Sequence, residues 1–179
     1  MLGLQRGAVE LVAYTPIWAT LFQSERARIQ HALGADALDI QHIGSTAVPG
    51  LAAKPILDLG IAVATDAVVP ACVSRLVGIG YTYRGYRGPD QGHFFDLGPE
   101  QKLTHYLHLL TINQPAWTNY LQFRDYLVAH SATRDAYMRL KQDLATQYAD
   151  NRAAYTAAKA TFVQQILAAA HTDARKSSA

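Results

Sequence analysis

The chain lacks most of the features that mark secreted and membrane-spanning proteins. It has one cysteine, Cys72, in 179 residues, which excludes an internal disulfide framework. No apolar run approaches the ~20 residues that a transmembrane helix needs. Arg6 and Glu10 interrupt the apolar N-terminal stretch, a pattern unlike that of a signal peptide. These absences predict a soluble cytoplasmic protein that does not associate with membranes.

Charge of either sign is also sparse. The formal net charge is +2, and the 16 lysines and arginines are scattered along the chain rather than gathered into a run. No nucleic-acid partner is therefore expected. The sequence has no internal repeat and no low-complexity linker, so residues 1–179 are interpreted as a single domain with a core of ordinary size. The oligomeric state stays open.

Hydrophobic periodicity predicts an α+β domain with helices at both ends and a sheet between them. The stretch "ILDLGIAV" is apolar on both faces except at Asp58, which favours a central strand covered by helices. Everything after Pro115 has helical periodicity, in three amphipathic stripes. The predicted strands cover residues 37–43, 56–63, 81–86, 93–97 and 103–112, and the predicted helices before Pro115 cover residues 16–33 and 67–77.

The segment "HIGSTAVPGLAAKPILDLGIAV" carries the strongest functional signal. Gly44 and Ser45 follow a strand, where glycine lets a ligand approach the backbone and free N–H groups can meet phosphate oxygens. A simple turn would also explain this pair. Asp58 follows on the next predicted strand, and a phosphate loop beside a strand carboxylate is typical of sites that hold a divalent cation next to a triphosphate.

The same segment, together with "THYLHL", "FRDYLVAH", "AYMRLK" and "YTAAKATFVQQIL", resembles the GrpB family over about residues 9–170. This resemblance implies the nucleotidyltransferase (polymerase-β-like) fold, with a mixed sheet flanked by helices and a helical C-terminal third. It also implies an ancestral nucleotidyltransferase site. Such sites carry Asp-x-Asp or Asp-x-Glu on one strand and a third carboxylate on a neighbouring strand.

The chain departs from that pattern at two positions. Gly60 stands where the second acid is expected, and His108 in "THYLHL" takes the third position. Imidazole suits zinc and manganese-like ions better than magnesium, which prefers oxygen ligands. We therefore expect Asp58 and His108 to be the catalytic residues and to hold a divalent metal, Mn, Zn or Mg. Asp96 is a further candidate ligand if "HFFDL" lies beside the Asp58 strand.

Candidate substrate-binding residues surround the same loop. Gly44, Ser45 and Lys54 are expected to hold phosphates, although a solvated loop position would equally suit Lys54. His42 could donate to a ligand or could be satisfied by the backbone. Lys159 lies four residues after Tyr155, a spacing that fits either packing with an extended lysine or an approach to the cleft.

Two functions remain. The first is transfer of a nucleotidyl group from a nucleoside triphosphate to a small acceptor. The alternative is a catalytically degenerate module that binds a nucleotide or phosphate ligand, as in the GrpB-like domains fused to dephospho-CoA kinase. The glycine at position 60 is the sequence feature that separates the two.

Overall fold

The computed structural model describes residues 1–177 of the chain. Its strands are β1 (Asp39–Ile43), β2 (Leu57–Val63), β3 (Thr82–Tyr86), β4 (His93–Leu97) and β5 (His105–Thr111). Its α-helices are α1 (Ile17–Leu33), α2 (Val69–Gly78), α3 (Pro115–Ala129), α4 (Ser131–Gln147), α5 (Arg152–Ala158) and α6 (Ala160–Ser177). These elements confirm the predicted order along the chain.

The five strands form one mixed sheet in the order β1-β2-β5-β4-β3. Strand β2 runs antiparallel to β1 and parallel to β5, and β4 runs antiparallel to β5 and to β3. Strand β2 is thus interior, as its nearly continuous apolar sequence indicates. The architecture is the predicted α+β arrangement, with a mixed sheet flanked by helices.

One face of the sheet carries the main hydrophobic core. Trp18, Phe22 and Ile29 of α1 pack with Cys72 and Leu76 of α2 against the apolar side chains of β2 and β5. The buried thiol of Cys72 is part of this core, as its apolar sequence context indicates. Alternation along the strands sends Leu57, Leu59, Ile61, Leu107 and Leu109 to this face.

The other face of the sheet is covered by the C-terminal helices, which form smaller apolar clusters. Ala62 and Leu110 of the sheet pack against Ala116 and Trp117 of α3. The third predicted C-terminal stripe is interrupted at Lys159, which lies between α5 and α6. Among residues 1–177, no helix is long and apolar enough to cross a membrane. The helices leave a cavity open above β2 and β5.

Candidate functional site

A cavity of about 680 Å³ lies between this sheet face and helices α3 to α6. Its floor is formed by β2 and β5, and the loop after β1 forms part of its wall. Asp90 and Gln91, at the tip of the hairpin joining β3 to β4, close another side. Residues from distant parts of the chain therefore meet around one partly open cavity.

Asp58 and His108 both line this cavity, as do Gly44, Ser45 and Lys54. Parallel pairing sets Asp58 beside Tyr106 and Gly60 beside His108, so all four residues project from the same sheet face. The Asp58 side chain is partly exposed, and its carboxylate forms no ion pair with any residue of the described chain 1–177. The geometric expectation that Asp58 and His108 converge on one cleft next to the Gly44 loop matches the structure.

The Gly44 loop is held by backbone geometry that only glycine adopts readily. Gly44 has φ 68° and ψ −169°, in a region that is essentially restricted to glycine. A Cβ added there would lie 2.5 Å from Oδ2 of Asp58. The turn that follows, Ser45–Ala47, has no side-chain cap at its N terminus. The loop thus depends on Gly44 to lie directly against the Asp58 carboxylate.

We therefore expect Gly44→Ala to destabilise the fold by at least about 2 kcal/mol, because the strained backbone region alone costs roughly 1–3 kcal/mol. The clash with Asp58 adds to that cost. Urea unfolding of this variant and of Gly85→Ala would measure the difference, since Gly85 also has positive φ but an added Cβ there meets nothing within 4 Å. Equal losses in the two variants would show that the contact with Asp58 costs nothing.

His42 lies on the opposite face of the sheet and does not line the cavity. It pairs in register with Leu59, and its ring stacks on Phe22 of α1 at 4.8 Å between centroids. Its Nε2 lies 2.9 Å from the hydroxyl of Thr46. Burial, followed by the charge of Arg124, lowers the pKa of His42 to about 4. The expectation that His42 binds substrate is wrong, because its side chain lies on the sheet face opposite the cavity. From there it contacts Thr46 and supports the Gly44 loop.

Asp96 is separated from Asp58 by the whole of β5. Its strand pairs with β5 rather than β2, and Asp96 stands beside Tyr106. The Asp96 carboxylate is fully buried and accepts hydrogen bonds from Arg6 at 2.6 Å and from Arg84 at 2.9 Å. Two guanidinium groups already satisfy this carboxylate, so the expectation that Asp96 supplies a metal ligand is wrong.

The position expected to carry a second acid is closed by an aromatic ring. A Cβ added to Gly60 would lie 3.0 Å from Cζ3 of Trp117 and 3.5 Å from Cδ1 of Ile43. Trp117 is itself buried and packs with Ala62 and Leu110. A side chain at position 60 would require the indole of Trp117 to shift by a few tenths of an ångström, so the packing of α3 against β2 favours glycine there.

Four cationic side chains line the cavity instead. They are Lys54 from the loop before β2, Lys141 from α4, Arg152 at the start of α5 and Lys159 between α5 and α6. None of the four forms a salt bridge with a carboxylate within residues 1–177. The acidic residues on the cavity wall are Asp58 and the exposed Asp90 at the rim.

Aromatic rings, rather than carboxylates, accompany these cations. Nζ of Lys159 lies 4.2 Å and Nζ of Lys54 lies 5.8 Å from the ring centroid of Tyr155. The Arg152 guanidinium lies 4.4 Å from the ring of Tyr106 and donates to its hydroxyl. Cation–π contacts are worth about 0.5–2 kcal/mol, less than an ion pair with a bound anion would contribute in a desolvated site. These cations therefore contact aromatic rings and form no ion pair with a carboxylate among residues 1–177.

Burial shifts the pKa values of these lysines downward. Desolvation is the largest cause in each case, and neighbouring cations add to it. The pKa falls to about 7 for Lys54 and Lys141 and to about 8 for Lys159. Burial raises the pKa of Asp58, against the opposing effect of Lys54 and His108. An anion in the cavity would favour the charged form of all three lysines.

His108 holds the hairpin tip over the cavity. Its Nδ1 lies 3.0 Å from the carbonyl oxygen of Gln91, and the Tyr120 hydroxyl donates to the carbonyl of Asp90 at 3.1 Å. A proton on Nδ1 satisfies Gln91 and leaves Nε2 as an acceptor. Burial lowers the pKa of His108, which favours this neutral ring. The imidazole thus has a structural partner that the sequence does not reveal.

A divalent metal does not fit this set of donors well. Among residues 1–177, no group of three or more histidine, cysteine, aspartate or glutamate side chains is placed to hold a metal ion. Asp58 and Nε2 of His108 would be the two protein ligands, whereas magnesium prefers six oxygen ligands. Four nearby cations also oppose a further positive charge.

Sequence reasoning found Lys54 and noted the pair Tyr155 and Lys159, all of which line the cavity. It missed Lys141 and Arg152. Lys141 lies on the buried face of α4, four residues after Tyr137, at a position that the apolar pattern assigns to core. A lysine at a helical position that faces the core could have marked Lys141 as a candidate site residue. Arg152 directly follows a helix break and carried no comparable signal.

Comparison with known proteins places this chain among bacterial relatives. It is 35% identical over 172 residues to the glutamate-rich protein GrpB of Alkalihalophilus pseudofirmus, covering 93% of this chain and 98% of that protein. It is 35% identical to YqkA of Bacillus subtilis over 87% of this chain, but it spans only 45% of YqkA. A dephospho-CoA kinase of Mycolicibacterium paratuberculosis is 37% identical over 44% of this chain and 20% of its own length.

Solved structures include another protein named GrpB that resembles this chain. The crystal structure of GrpB from Enterococcus faecalis superposes with a TM-score of 0.84 and 32% identity, over 92% of this chain and 98% of that chain. One crystal structure of the Cid1 poly(U) polymerase overlaps more loosely, with a TM-score of 0.49 and 14% identity over 75% of this chain and 44% of that one. The family model described as GrpB protein matches residues 8–169. The chain belongs to the GrpB family.

Proposed function

We propose that the cavity binds a nucleotide through its phosphate groups. The observation that carries this proposal is the set of four cationic side chains, Lys54, Lys141, Arg152 and Lys159, that line one cavity without a carboxylate partner in residues 1–177. Lys141 is buried and the other three cations are partly exposed, and desolvated cations are retained when a ligand or a partner offsets their desolvation. A phosphorylated ligand supplies that compensation.

The shape and lining of the cavity support a nucleotide rather than inorganic phosphate. Its volume of about 680 Å³ falls within the range of roughly 300–1,000 Å³ usual for small-molecule sites. Tyr106, Tyr120, Phe123, Tyr137 and Tyr155 supply aromatic surface next to the cations. Rings of this kind suit a base or a sugar, while the lysines suit the phosphates. This assignment matches the alternative of a binding module that has lost the full nucleotidyltransferase set.

Nucleotidyl transfer is a second candidate, supported by the contact between Gly44 and Asp58. That contact sets the loop suited to phosphates directly against a carboxylate. In such a reaction an acceptor oxygen forms a bond to the α-phosphorus, and the bond between the α-phosphorus and its bridging oxygen breaks to release pyrophosphate. Asp58 would accept the acceptor's proton, and its pKa, raised by burial, would suit that task.

Titration of the chain with adenosine, AMP, ADP and ATP in magnesium-containing buffer tests the binding proposal. We expect no detectable adenosine binding and an affinity that rises by roughly five- to tenfold with each added phosphate, since each gains charged hydrogen bonds. Isothermal calorimetry measures the affinities, and pyrophosphate release in the same samples with added small alcohols and amines reports transfer.

The outcomes separate the candidates. Binding without pyrophosphate release supports the binding module, and binding with release supports the transferase. Affinity that is equal for adenosine and ATP would contradict a phosphate site. Lys176→Met serves as the control variant, because Lys176 is an exposed lysine near the end of α6 and does not line the cavity.

A further inference from the structure

The packing at Gly60 limits the number of carboxylates that line the cavity. The nearest atom of Trp117 lies 3.0 Å from where a Cβ would stand, so a side chain at position 60 would require the buried indole to shift by a few tenths of an ångström, and this chain has glycine there. Asp96, the other candidate carboxylate, is bound by Arg6 and Arg84. Within residues 1–177, the carboxylates that line the cavity are therefore Asp58 on its floor and the exposed Asp90 at its rim.

Three of the four cations surround the same carboxylate. Lys54, Arg152 and Lys159 all act on the Asp58 carboxylate electrostatically, which places their charges around the same point. They come from two separate segments, one before β2 and one spanning α5 to α6. Lys141 enters from a third segment and donates to the carbonyl of Ala52, which fixes its ammonium group beside the loop.

We propose that this cavity binds the polyphosphate chain of its ligand free of metal, with the lysine ammonium groups and the Arg152 guanidinium neutralising the charge that magnesium carries in a two-metal site. This inference rests on the proposed function and specifies the form of the ligand. A free nucleoside triphosphate carries about four negative charges near neutral pH, which four cations match. The magnesium complex offers fewer negative charges to the same cations, so it is the weaker ligand.

The state of the lysines supports this assignment. Because burial lowers their pKa values to about 7 or 8, the ligand-free cavity holds less positive charge than four full cations. Binding of an anion raises these pKa values again, so protons are taken up with the ligand. The cavity thus adjusts its charge to that of the bound polyphosphate.

The experiment is a pair of calorimetric titrations of the wild-type chain with ATP, one in excess EDTA and one in excess magnesium chloride. Inorganic tripolyphosphate is titrated in EDTA as a second probe. We expect ATP to bind about three- to tenfold more tightly in EDTA than in magnesium. Tripolyphosphate is expected to bind in EDTA as well, because the phosphate chain carries the recognition.

Each result bears on the inference. ATP binding that is absent in EDTA and restored by magnesium would overturn the metal-free site while leaving nucleotide binding intact. Absence of ATP binding in both media would instead overturn the proposed function. Tighter binding in EDTA than in magnesium supports the inference, whereas ATP binding that is equal or weaker in EDTA would overturn it. The test uses only the wild-type chain.

Discussion

Replacing Lys54 and Lys159 together by methionine is expected to weaken ATP binding by about a hundredfold or more, because each lost ammonium–phosphate interaction is worth about 1.5–3 kcal/mol. Both side chains line the cavity, and both are free of hydrogen bonds to residues 1–177. Methionine keeps the length and apolar contacts of the lysine stem, so the packing against Tyr155 is retained.

The same double variant is expected to be more stable than the wild type when no ligand is present. The folded-state pKa of Lys54 is about 7, against 10.5 for an unperturbed lysine. Below pH 7 the folded chain carries a buried charge that the unfolded chain leaves in water, and this costs stability. The wild type regains that stability as the pH rises from about 7 towards 10.5. The advantage of the variant is therefore largest near pH 7 or below and disappears in alkali.

Urea unfolding at several pH values measures this effect, and we expect a gain on the order of 1 to 2 kcal/mol at pH 7 after allowing for solvent screening at the cavity mouth. Lys176→Met is the control and should alter neither stability nor affinity. A double variant that is less stable at pH 7 but binds ATP normally would show that these lysines support the fold and do not bind ligand.

The elements of this fold could be predicted largely from local pattern. The alternation in "HFFDL" and the apolar run in "ILDLGIAV" follow from burial on one or both faces of a sheet, and they mark β4 and β2 to within one residue. The convergence of Asp58 and His108 also follows. Side chains alternate between the two faces along each strand, so the positions of Asp58 and His108 in neighbouring strands place both side chains on one face of the sheet.

What the sequence could not show is which strand lies beside which, and which side chain already has a partner. Asp96 is excluded from the cavity by the position of β4 beyond β5 and by arginines 90 and 12 residues away in sequence. His42 lies on the far face because it pairs in register with Leu59, whose side chain belongs to the main core. Lys141 and Arg152 reach the cavity through the packing of α4 and α5, which no local spacing encodes.

Phosphate could be held by a metal ion or directly by the lysines, and replacing Asp58 by asparagine distinguishes these two kinds of site more sharply than any other single change. In a metal site Asp58 is an indispensable ligand, and its loss would remove nucleotide binding. In a lysine site Asp58 is a negative charge that opposes the polyphosphate. Its removal should therefore strengthen ATP binding in EDTA by about three- to tenfold. Asparagine has nearly the same shape, so the contact with Gly44 is preserved.

The decisive measurement is a calorimetric titration of Asp58→Asn with ATP in EDTA, beside the wild type under the same conditions. The account predicts that the variant binds ATP several-fold more tightly than the wild type and that added magnesium weakens both. Loss of ATP binding in a variant that remains folded, together with wild-type binding that requires magnesium, would contradict it and would assign Asp58 to a metal.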